Sequence, residues 1–318
     1  MRGMIHRHLF VAALLCAAMP LAAQEEDFSK TQIKVTDLGS HVWLLIGSGG
    51  NIAASIGEDG ILIVDDEFAP LASKIAAALK ATGVSDKPVR FVINTHYHYD
   101  HTGGNLPFAD KGALLISHDN ARARLASGAV LNNGGKAMSY DQKPAAKGAL
   151  PVISFDRDVT IHVNGEDIRA LHFPAAHTDG DSVVFFPKAN VVHTGDIFVR
   201  YGFPFLDVGA GGSVQGTIAA CESLLAKLPA NVRIIPGHGP LSSIAELREY
   251  TQMLKDTLAA AEKAIKSGMT LQQAQNSNLL APWKQKWDHG GDIDSNGWLE
   301  TLYASINHAT SAPFHKHN

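Results

Sequence analysis

The sequence predicts an α/β fold that carries a helical flank at its carboxyl end. Short apolar runs separated by Gly-rich turns are followed by one helical segment and a further apolar run, and this order occurs twice before residue 240. After Pro240 the apolar residues recur at helical spacing instead. A chain of 318 residues that is 45% hydrophobic and 18% charged can bury a large core. Its composition excludes a disordered or collagen-like chain.

The first repeat contains three short strands, one helix and one further strand. Strands are predicted at residues 42–46, 51–56 and 61–64 because each apolar run is bounded by a turn rich in Gly. Residues 71–82 form an Ala-rich periodic segment that ends at Gly83, so they predict a helix. A strand at 89–93 completes a strand–helix–strand crossover.

The second repeat and the flank follow the same rules. The predicted strands and helices are, in chain order, strands 168–173, 182–186 and 190–193, helix 215–228, strand 233–235, and helices 244–266, 270–275 and 298–308. Residues 127–148 are rich in Gly, Asn and Lys and predict a long surface loop. No low-complexity linker precedes the flank. We therefore expect one domain over residues 24–318, with a core at about 35–240 and a helical flank at about 241–318.

The amino-terminal 23 residues have the pattern of a secretory signal peptide. Arg2 and Arg7 precede an apolar run at 9–15, and small residues end at Ala22-Ala23. Cleavage near Ala23 and Gln24 would export the protein to the periplasm or the medium. The apolar run is short for a membrane span, so none is expected, and a retained anchor or a lipid on Cys16 is the alternative.

The net charge limits the possible binding partners, and the cysteine content limits the possible disulfides. The chain has 27 basic and 31 acidic residues, and its net charge of −4 offers no basic surface for a phosphate backbone. A small-molecule substrate is expected rather than a nucleic acid. Of the two cysteines, Cys16 leaves with the signal peptide, so Cys221 has no partner for an intrachain disulfide.

Four potential metal ligands follow the strand at 89–93 within six residues: His96, His98, Asp100 and His101. A loop that leaves a strand can direct imidazoles and a carboxylate toward two neighbouring points. Neutral imidazole and carboxylate are ligands that suit Zn²⁺.

Three more candidate ligands follow other predicted strands: His177, Asp196 and His238. The ends of strands at one edge of a sheet are where α/β folds build their sites. Together with the loop cluster they make seven groups, enough for two ions and an open position for water, whereas a closed structural zinc uses only about four.

The motif His96-x-His98-x-Asp100-His101, with the later His177, Gly195-Asp196 and Gly237-His238-Gly239, resembles the metallo-β-lactamase superfamily over about residues 35–240. The resemblance implies an αββα sandwich with metals at one edge. By position, it assigns His96, His98 and His177 to a first metal and Asp100, His101 and His238 to a second. Asp196 would bridge the two metals, and Asp65 would support the metal-binding loop.

The resemblance also implies a reaction. Two zinc ions per chain would provide a metal-bound hydroxide that opens a carbonyl bond, with Asp100 orienting the nucleophile. The favoured substrate is a β-lactam amide. The alternatives are an exported lactonase, esterase or thioesterase and a non-hydrolytic periplasmic accessory protein that binds metal. A bridging aspartate is typical of the glyoxalase II-like and lactonase-like branches, and iron or manganese remains open as the metal.

Other residues receive weaker assignments. Arg200 and Tyr201 follow Asp196 closely and are expected to contact substrate, with a solvated charge as the alternative for Arg200. The expected pocket walls are turn 47–50, loop 200–205 and the tail tryptophans Trp283, Trp287 and Trp298, for which packing is the alternative. Cys221 is expected to be buried in a helix. The other histidines that lie beside or inside strands are expected to be structural: His118, His162, His172 and His193.

Overall fold

The computed structural model describes residues 27–135, 139–289 and 293–311. The predicted signal peptide, residues 1–23, lies outside the described residues, and its cleavage stays a prediction. Within these ranges, no helix combines the length and the apolar character that crossing a bilayer requires.

The first sheet has seven strands in the order β1-β2-β3-β4-β5-β6-β9. These strands are β1 Lys34–Asp37, β2 Val42–Ile46, β3 Ile52–Gly57, β4 Gly60–Val64, β5 Val89–Ile93, β6 Leu114–His118 and β9 Ile153–Phe155. Strands β1 to β4 are antiparallel, and β4, β5, β6 and β9 run parallel. The turn at Gly57–Gly60 joins β3 to β4, as the sequence predicts.

The second sheet has five strands in the order β10-β11-β12-β13-β14. They are β10 Asp158–Val163, β11 Glu166–His172, β12 Ser182–Phe186, β13 Val191–His193 and β14 Arg233–Ile235. Only the last pair, β13 and β14, is parallel. A separate two-stranded hairpin consists of β7 Ala129–Asn132 and β8 Ser139–Gln142.

The described helices lie between these strands and in the flank. They are α1 Ala72–Ala81, α2 Tyr99–Thr102, α3 Asn105–Ala109, α4 Asp119–Ser127, α5 Val214–Lys227, α6 Ile244–Lys266, α7 Leu271–Asn276, α8 Ala281–Trp287 and α9 Ser295–Ser311. Helix α6 begins at a capping box. The Ser243 side chain accepts a hydrogen bond from the backbone of Glu246, and the Glu246 carboxylate accepts one from the Ser243 backbone N–H.

Strand β4 shows how the layers form. Its Leu62 and Val64 pack between the two sheets, whereas Ile61 and Ile63 face α1 and α3. Successive side chains of a strand point to opposite faces, so an all-apolar strand belongs to a sheet that is covered on both sides. Helices α5 and α6 cover the second sheet in the same way. The αββα sandwich implied by the motif resemblance is confirmed.

The helical flank packs on the outer helices of the second sheet. Trp298 of α9 is fully buried, and its indole N–H donates to Thr257 Oγ1 in α6 at 3.1 Å. Side chains from α5, α6 and α9 belong to one buried cluster that reaches β13 and β14. The flank therefore shares a core with the sandwich.

The structure differs from the sequence prediction in the segment 127–148, which is predicted as a loop. It contains hairpin β7–β8, which is anchored by side chains distant in sequence: Asn132 N donates to Asp207 Oδ1 at 3.2 Å, and Gln142 Nε2 donates to the Tyr97 carbonyl at 2.7 Å. Local composition did not reveal this hairpin because its anchors lie outside the segment.

Candidate metal centre

The candidate ligands converge because strands of both sheets end at one edge of the sandwich. Val64 of β4 lies opposite Ile93 of β5, and His193 of β13 lies opposite Ile235 of β14, so each parallel pair ends level. The loops that follow these strands carry Asp65, the histidine-rich motif, Asp196 and His238. The structure brings all seven predicted ligands together at this edge.

Two glycines let the loops approach closely. A Cβ atom on Gly237 would lie 1.8 Å from Asp196 Oδ1, and one on Gly50 would lie 2.2 Å from the His101 ring. Any larger residue at either position would displace a candidate ligand. Backbone without side chains therefore forms part of the wall around the cluster.

The first ligand group consists of His96, His98 and His177, whose ring nitrogens lie within 4.8 Å of one another. All three residues are buried. His98 Nδ1 and His177 Nε2 are 3.0 Å apart, and His96 Nε2 is buried without a hydrogen-bond partner.

Hydrogen bonds on the far side of each ring fix which nitrogen is available. The Phe205 carbonyl can only accept, so His177 Nδ1 donates to it at 2.9 Å. Asp207 Oδ2 lies 3.1 Å from His98 Nε2 and accepts its proton. These contacts leave His177 Nε2 and His98 Nδ1 as lone-pair donors toward a common point.

His96 follows the same logic through a short chain of hydrogen bonds. Thr95 Oγ1 donates to Asp65 Oδ2 at 2.8 Å and therefore accepts from His96 Nδ1 at 3.0 Å. His96 Nε2, the unpartnered atom, then also presents a lone pair. All three rings of the first group thus offer the atom a metal needs.

The second ligand group consists of Asp100, His101 and His238. His101 Nδ1 lies 2.8 Å from Asp65 Oδ2, which leaves Nε2 facing the group. His238 Nε2 lies 3.1 Å from His101 Nε2 and 3.0 Å from Asp100 Oδ2. The Asp100 and His238 side chains are each 21% exposed, so this group is the more accessible of the two.

Asp196 lies between the groups. Its Oδ1 is 3.3 Å from His101 Nε2, and its Oδ2 is 3.7 Å from His177 Nε2 and 3.6 Å from His238 Nε2. Asp196 Oδ1 is buried without a hydrogen-bond partner. The position matches the bridging role that the motif resemblance implies.

The two groups differ in their electrostatics. Burial lowers the pKa of His96 well below its usual value, and burial lowers the pKa of His177 to about 4 despite the nearby Asp196. Burial also opposes protonation of His101 and His238. There, however, the carboxylates of Asp196 and Asp100 outweigh burial and raise the pKa of both rings.

The donor set fits metal ions. Imidazole lone pairs directed at one another from about 3 Å repel unless a cation or a proton lies between them, and His96 Nε2 and Asp196 Oδ1 lack protein partners. Nitrogen and carboxylate oxygen donors in this combination suit zinc and other first-row ions. The cluster can therefore hold metal.

A cavity of about 280 Å³ opens onto the second group and Asp196. Its lining residues are Ser48, Phe68, His98, Tyr99, Asp100, Leu131, Tyr140, Asp196, Tyr201, Phe205 and His238. Turn 47–50 and loop 200–205 contribute walls as expected, and Tyr201 lies where the sequence places it.

Two expectations about the pocket need correction. Arg200 does not line it, because its guanidinium donates to Ser242 Oγ at 3.1 Å and lies 3.7 Å from Glu246. The tail tryptophans Trp283, Trp287 and Trp298 do not line it either, since they pack with the core of the flank. Leu131 and Tyr140 of hairpin β7–β8 occupy the wall instead.

The histidines expected to be structural make contacts outside the cluster of candidate metal ligands. His193 Nε2 donates to the Asn51 carbonyl at 2.8 Å, and His118 stacks on His172 at 3.6 Å between ring centroids. His162 is exposed beside Asp167. Cys221 is buried in α5, as expected.

The sequence reasoning missed Asp207. It accepts hydrogen bonds from His98, Tyr97 and the hairpin backbone, and it is fully buried. The available signal was an acidic residue in the loop that follows Asp196, the candidate bridging ligand. Spacing alone did not distinguish it from a turn residue.

Comparisons with known proteins agree with this architecture. A hydroxyacylglutathione hydrolase from Nostoc punctiforme is 27% identical over 204 residues, covering 63% of this chain and 64% of the relative. Metallo-beta-lactamase domain-containing protein 1 from Homo sapiens is 30% identical over 211 residues, covering 65% of this chain and 68% of the relative. The chain spans about half to two thirds of the length of the curated relatives it matches.

Solved structures share the fold. A metallo-beta-lactamase from Pontibacter korlensis superposes with a TM-score of 0.57 at 18% identity, covering 70% of this chain and 99% of that one. The family profile of the metallo-beta-lactamase superfamily matches residues 39–238, which include every candidate ligand. The chain therefore belongs to the metallo-β-lactamase superfamily.

Proposed function

We propose that this protein is a dinuclear zinc hydrolase that cleaves a carbonyl bond in a small molecule. The observation that carries the proposal is the placement of Asp196 between two groups of three ligands, one buried and one open to the cavity. A structural zinc site would need neither the second group nor the opening.

The candidate ligands fall into two sets, one for each ion. His96, His98 and His177 would hold the first ion, and Asp100, His101 and His238 would hold the second, with Asp196 shared. When bound, such an ion pair supplies a water whose pKa is lowered to about 7 and polarises a carbonyl oxygen.

The chain's own residues position the reactants. Asp100 projects into the cavity with 21% of its side chain exposed, so its carboxylate can accept a hydrogen bond from the attacking water and orient it. Asp65 and Asp207 hold the His101 and His98 rings from behind. Phe205 and Leu131 contribute apolar surface to the cavity lining, which would limit water around the reacting carbonyl.

The test combines metal analysis with a hydrolysis panel. We expect about two ions per chain, mainly zinc, and turnover of at least one member of a panel of β-lactams, lactones, aryl esters and thioesters. Apoprotein prepared with a chelator is the control and should regain turnover when zinc is returned. One iron per chain, or metal without turnover of any panel member, would contradict the proposal.

A non-hydrolytic accessory protein is the competing function. It predicts bound metal without turnover. The completeness of the ligand set supports the hydrolase, because a protein that only binds metal does not require an open second group beside a cavity.

Export is proposed on the sequence pattern alone. A mature chain that begins near Gln24 is the expected product when the full-length precursor is expressed in a bacterium. Mass spectrometry of the periplasmic fraction measures it, and an intact Met1 or a lipid on Cys16 would contradict it.

A further inference from the structure

The cavity above the metal ligands is apolar and aromatic on its walls. Carboxylates and imidazoles form its floor, whereas the walls include Phe68, Tyr99, Leu131, Tyr140 and Phe205. Among the residues that the structure describes, no Lys or Arg lines the cavity.

Arginines near this end of the molecule are committed elsewhere. Arg124 forms a two-pronged pair with Asp179, with N···O distances of 2.7 and 2.6 Å. Arg200 is engaged with Ser242 and Glu246, neither of which lines the cavity. Neither guanidinium is available to a substrate carboxylate in the arrangement seen here.

Hairpin β7–β8 presents its apolar face to the cavity by register. Leu131 and Tyr140 are cross-strand partners, so their side chains share one face of the hairpin. Val130 pairs with Asp141 on the other face and is 53% exposed. Of these residues, only Leu131 and Tyr140 line the cavity.

The wall is held in place from two sides. Asp207 accepts from the Asn132 amide at the turn end of the hairpin, and Gln142 at its open end donates to the Tyr97 carbonyl. The Tyr140 ring lies 4.5 Å from the Tyr99 ring, which in turn lies 5.7 Å from Phe68. The hairpin thus extends a continuous aromatic surface that begins beside the metal ligands.

We propose that the substrate is an uncharged ester or lactone with an aromatic or aliphatic group, and that Leu131 and Tyr140 select it. This inference rests on the proposed function. A carboxylate placed against this wall would lose its water without meeting a described Lys or Arg side chain, whereas an apolar group gains contact area. Neutral esters and lactones therefore rank ahead of β-lactams, which carry a ring carboxylate, and ahead of glutathione thioesters.

The experiment compares two phenyl esters of one acyl group on the zinc-loaded protein. One has an unsubstituted phenyl group, and the other carries a carboxylate on the ring. The kcat/KM of each ester is divided by the rate of its hydroxide-catalysed hydrolysis, which corrects for the different leaving groups. We expect the corrected kcat/KM to favour the uncharged ester by at least about tenfold, the size of effect that one unfavourable pocket contact causes.

Two matched variants test the role of the hairpin. Tyr140→Arg places a cation on the wall, and Val130→Arg places the same cation on the opposite face of the hairpin. We expect Tyr140→Arg to shift the preference toward the carboxylated ester by about tenfold or more, and Val130→Arg to leave it unchanged. Because Tyr140 is 45% exposed, the substitution need not disturb the core. Zinc content and Tm verify the fold, and Leu131→Ala, expected to raise KM for the uncharged ester, provides a second test.

The outcomes separate the two proposals. A wild-type preference for the carboxylated ester, or an equal shift in both arginine variants, would overturn the substrate assignment while leaving the hydrolase intact. Absence of turnover for every ester, lactone, thioester and lactam by zinc-loaded protein would overturn the hydrolase, and the substrate assignment with it.

Discussion

The two ligand groups use similar donors but are built differently. Each ring of the first group is held from behind by Thr95, Asp207 or the Phe205 carbonyl, and the group is buried. In the second group, Asp65 holds His101, whereas Asp100 and His238 face the cavity. If the proposed function holds, the more buried group would mainly retain its metal ion and the more open group would mainly meet the substrate.

The bridge between the groups should be the most sensitive position. Asp196→Ala removes a charge that both ions would share, so we expect a loss of more than about a hundredfold in kcat/KM and loss of at least one ion, since even supporting residues cost about 10–100-fold. Steady-state kinetics and elemental analysis measure both effects. Cys221→Ser is the control and should stay within a few-fold; equal losses would mean that Asp196 is not the bridge.

The two ligand groups should lose their ions to a chelator at different rates. The second group is open to the cavity, so we expect a chelator to take its ion first and leave about one ion on the buried histidines. A chromophoric chelator would then record two phases of zinc release, with turnover lost in the first. Release of both ions in one phase would show that burial does not distinguish them.

Substitution of the two supporting aspartates should affect the two ions unequally. Asp207→Asn weakens the hold on His98 and should lower the affinity for the first ion by about 10–100-fold. Asp65 holds His101 directly and His96 through Thr95, so Asp65→Asn should lower the affinity for both ions. Competition with a chelator of known affinity measures the two constants. If Asp207→Asn weakens the second ion as strongly as the first, the supports are not separable, and circular dichroism shows whether the fold has survived.

The smallest effect is expected at Cys221. Burial raises the pKa of its thiol from 9.0 to about 12. The folded protein should therefore react slowly with iodoacetamide at pH 8, whether or not zinc is bound. Because the folded-state pKa is the higher one, this thiol stabilises the fold below about pH 9, and the contribution is lost as pH rises toward 12.

Unfolding at several pH values measures that contribution against Cys221→Ala, whose alkaline slope should be shallower than that of the wild type. Rapid labelling of native protein, or labelling that zinc suppresses, would place Cys221 nearer the metal site than its position in α5 implies.

The sequence alone predicted the bounds of an element correctly where its periodicity and its end signals were both clear. The strands at 42–46, 89–93, 182–186 and 233–235 and the helix at 244–266 have the predicted bounds, because each has strong periodicity and clear turns or caps at its ends. The convergence of the candidate ligands was predictable because each follows a strand, and these strand ends meet at one edge.

What the sequence could not supply depends on long-range contacts. Hairpin β7–β8 is stabilised by Asp207 and by the Tyr97 carbonyl, far from it in sequence. Arg200 was expected at the substrate, but Glu246 and Ser242 of the flank lie close enough to hold it. The tryptophans were ambiguous until the packing of α9 against α6 placed Trp298 in the core.

The turn end of the hairpin also rests on the last described helix. Asn133 Nδ2 donates to the Gly297 carbonyl at 3.1 Å, and a Cβ on Gly134 would lie 2.3 Å from the Ala304 Cβ. In protein engineering, the hairpin is therefore not a modular loop. A graft of residues 129–142 onto a related scaffold would need α9 as its platform, and libraries that vary pocket selectivity should diversify Gly297 and Ala304 together with the hairpin.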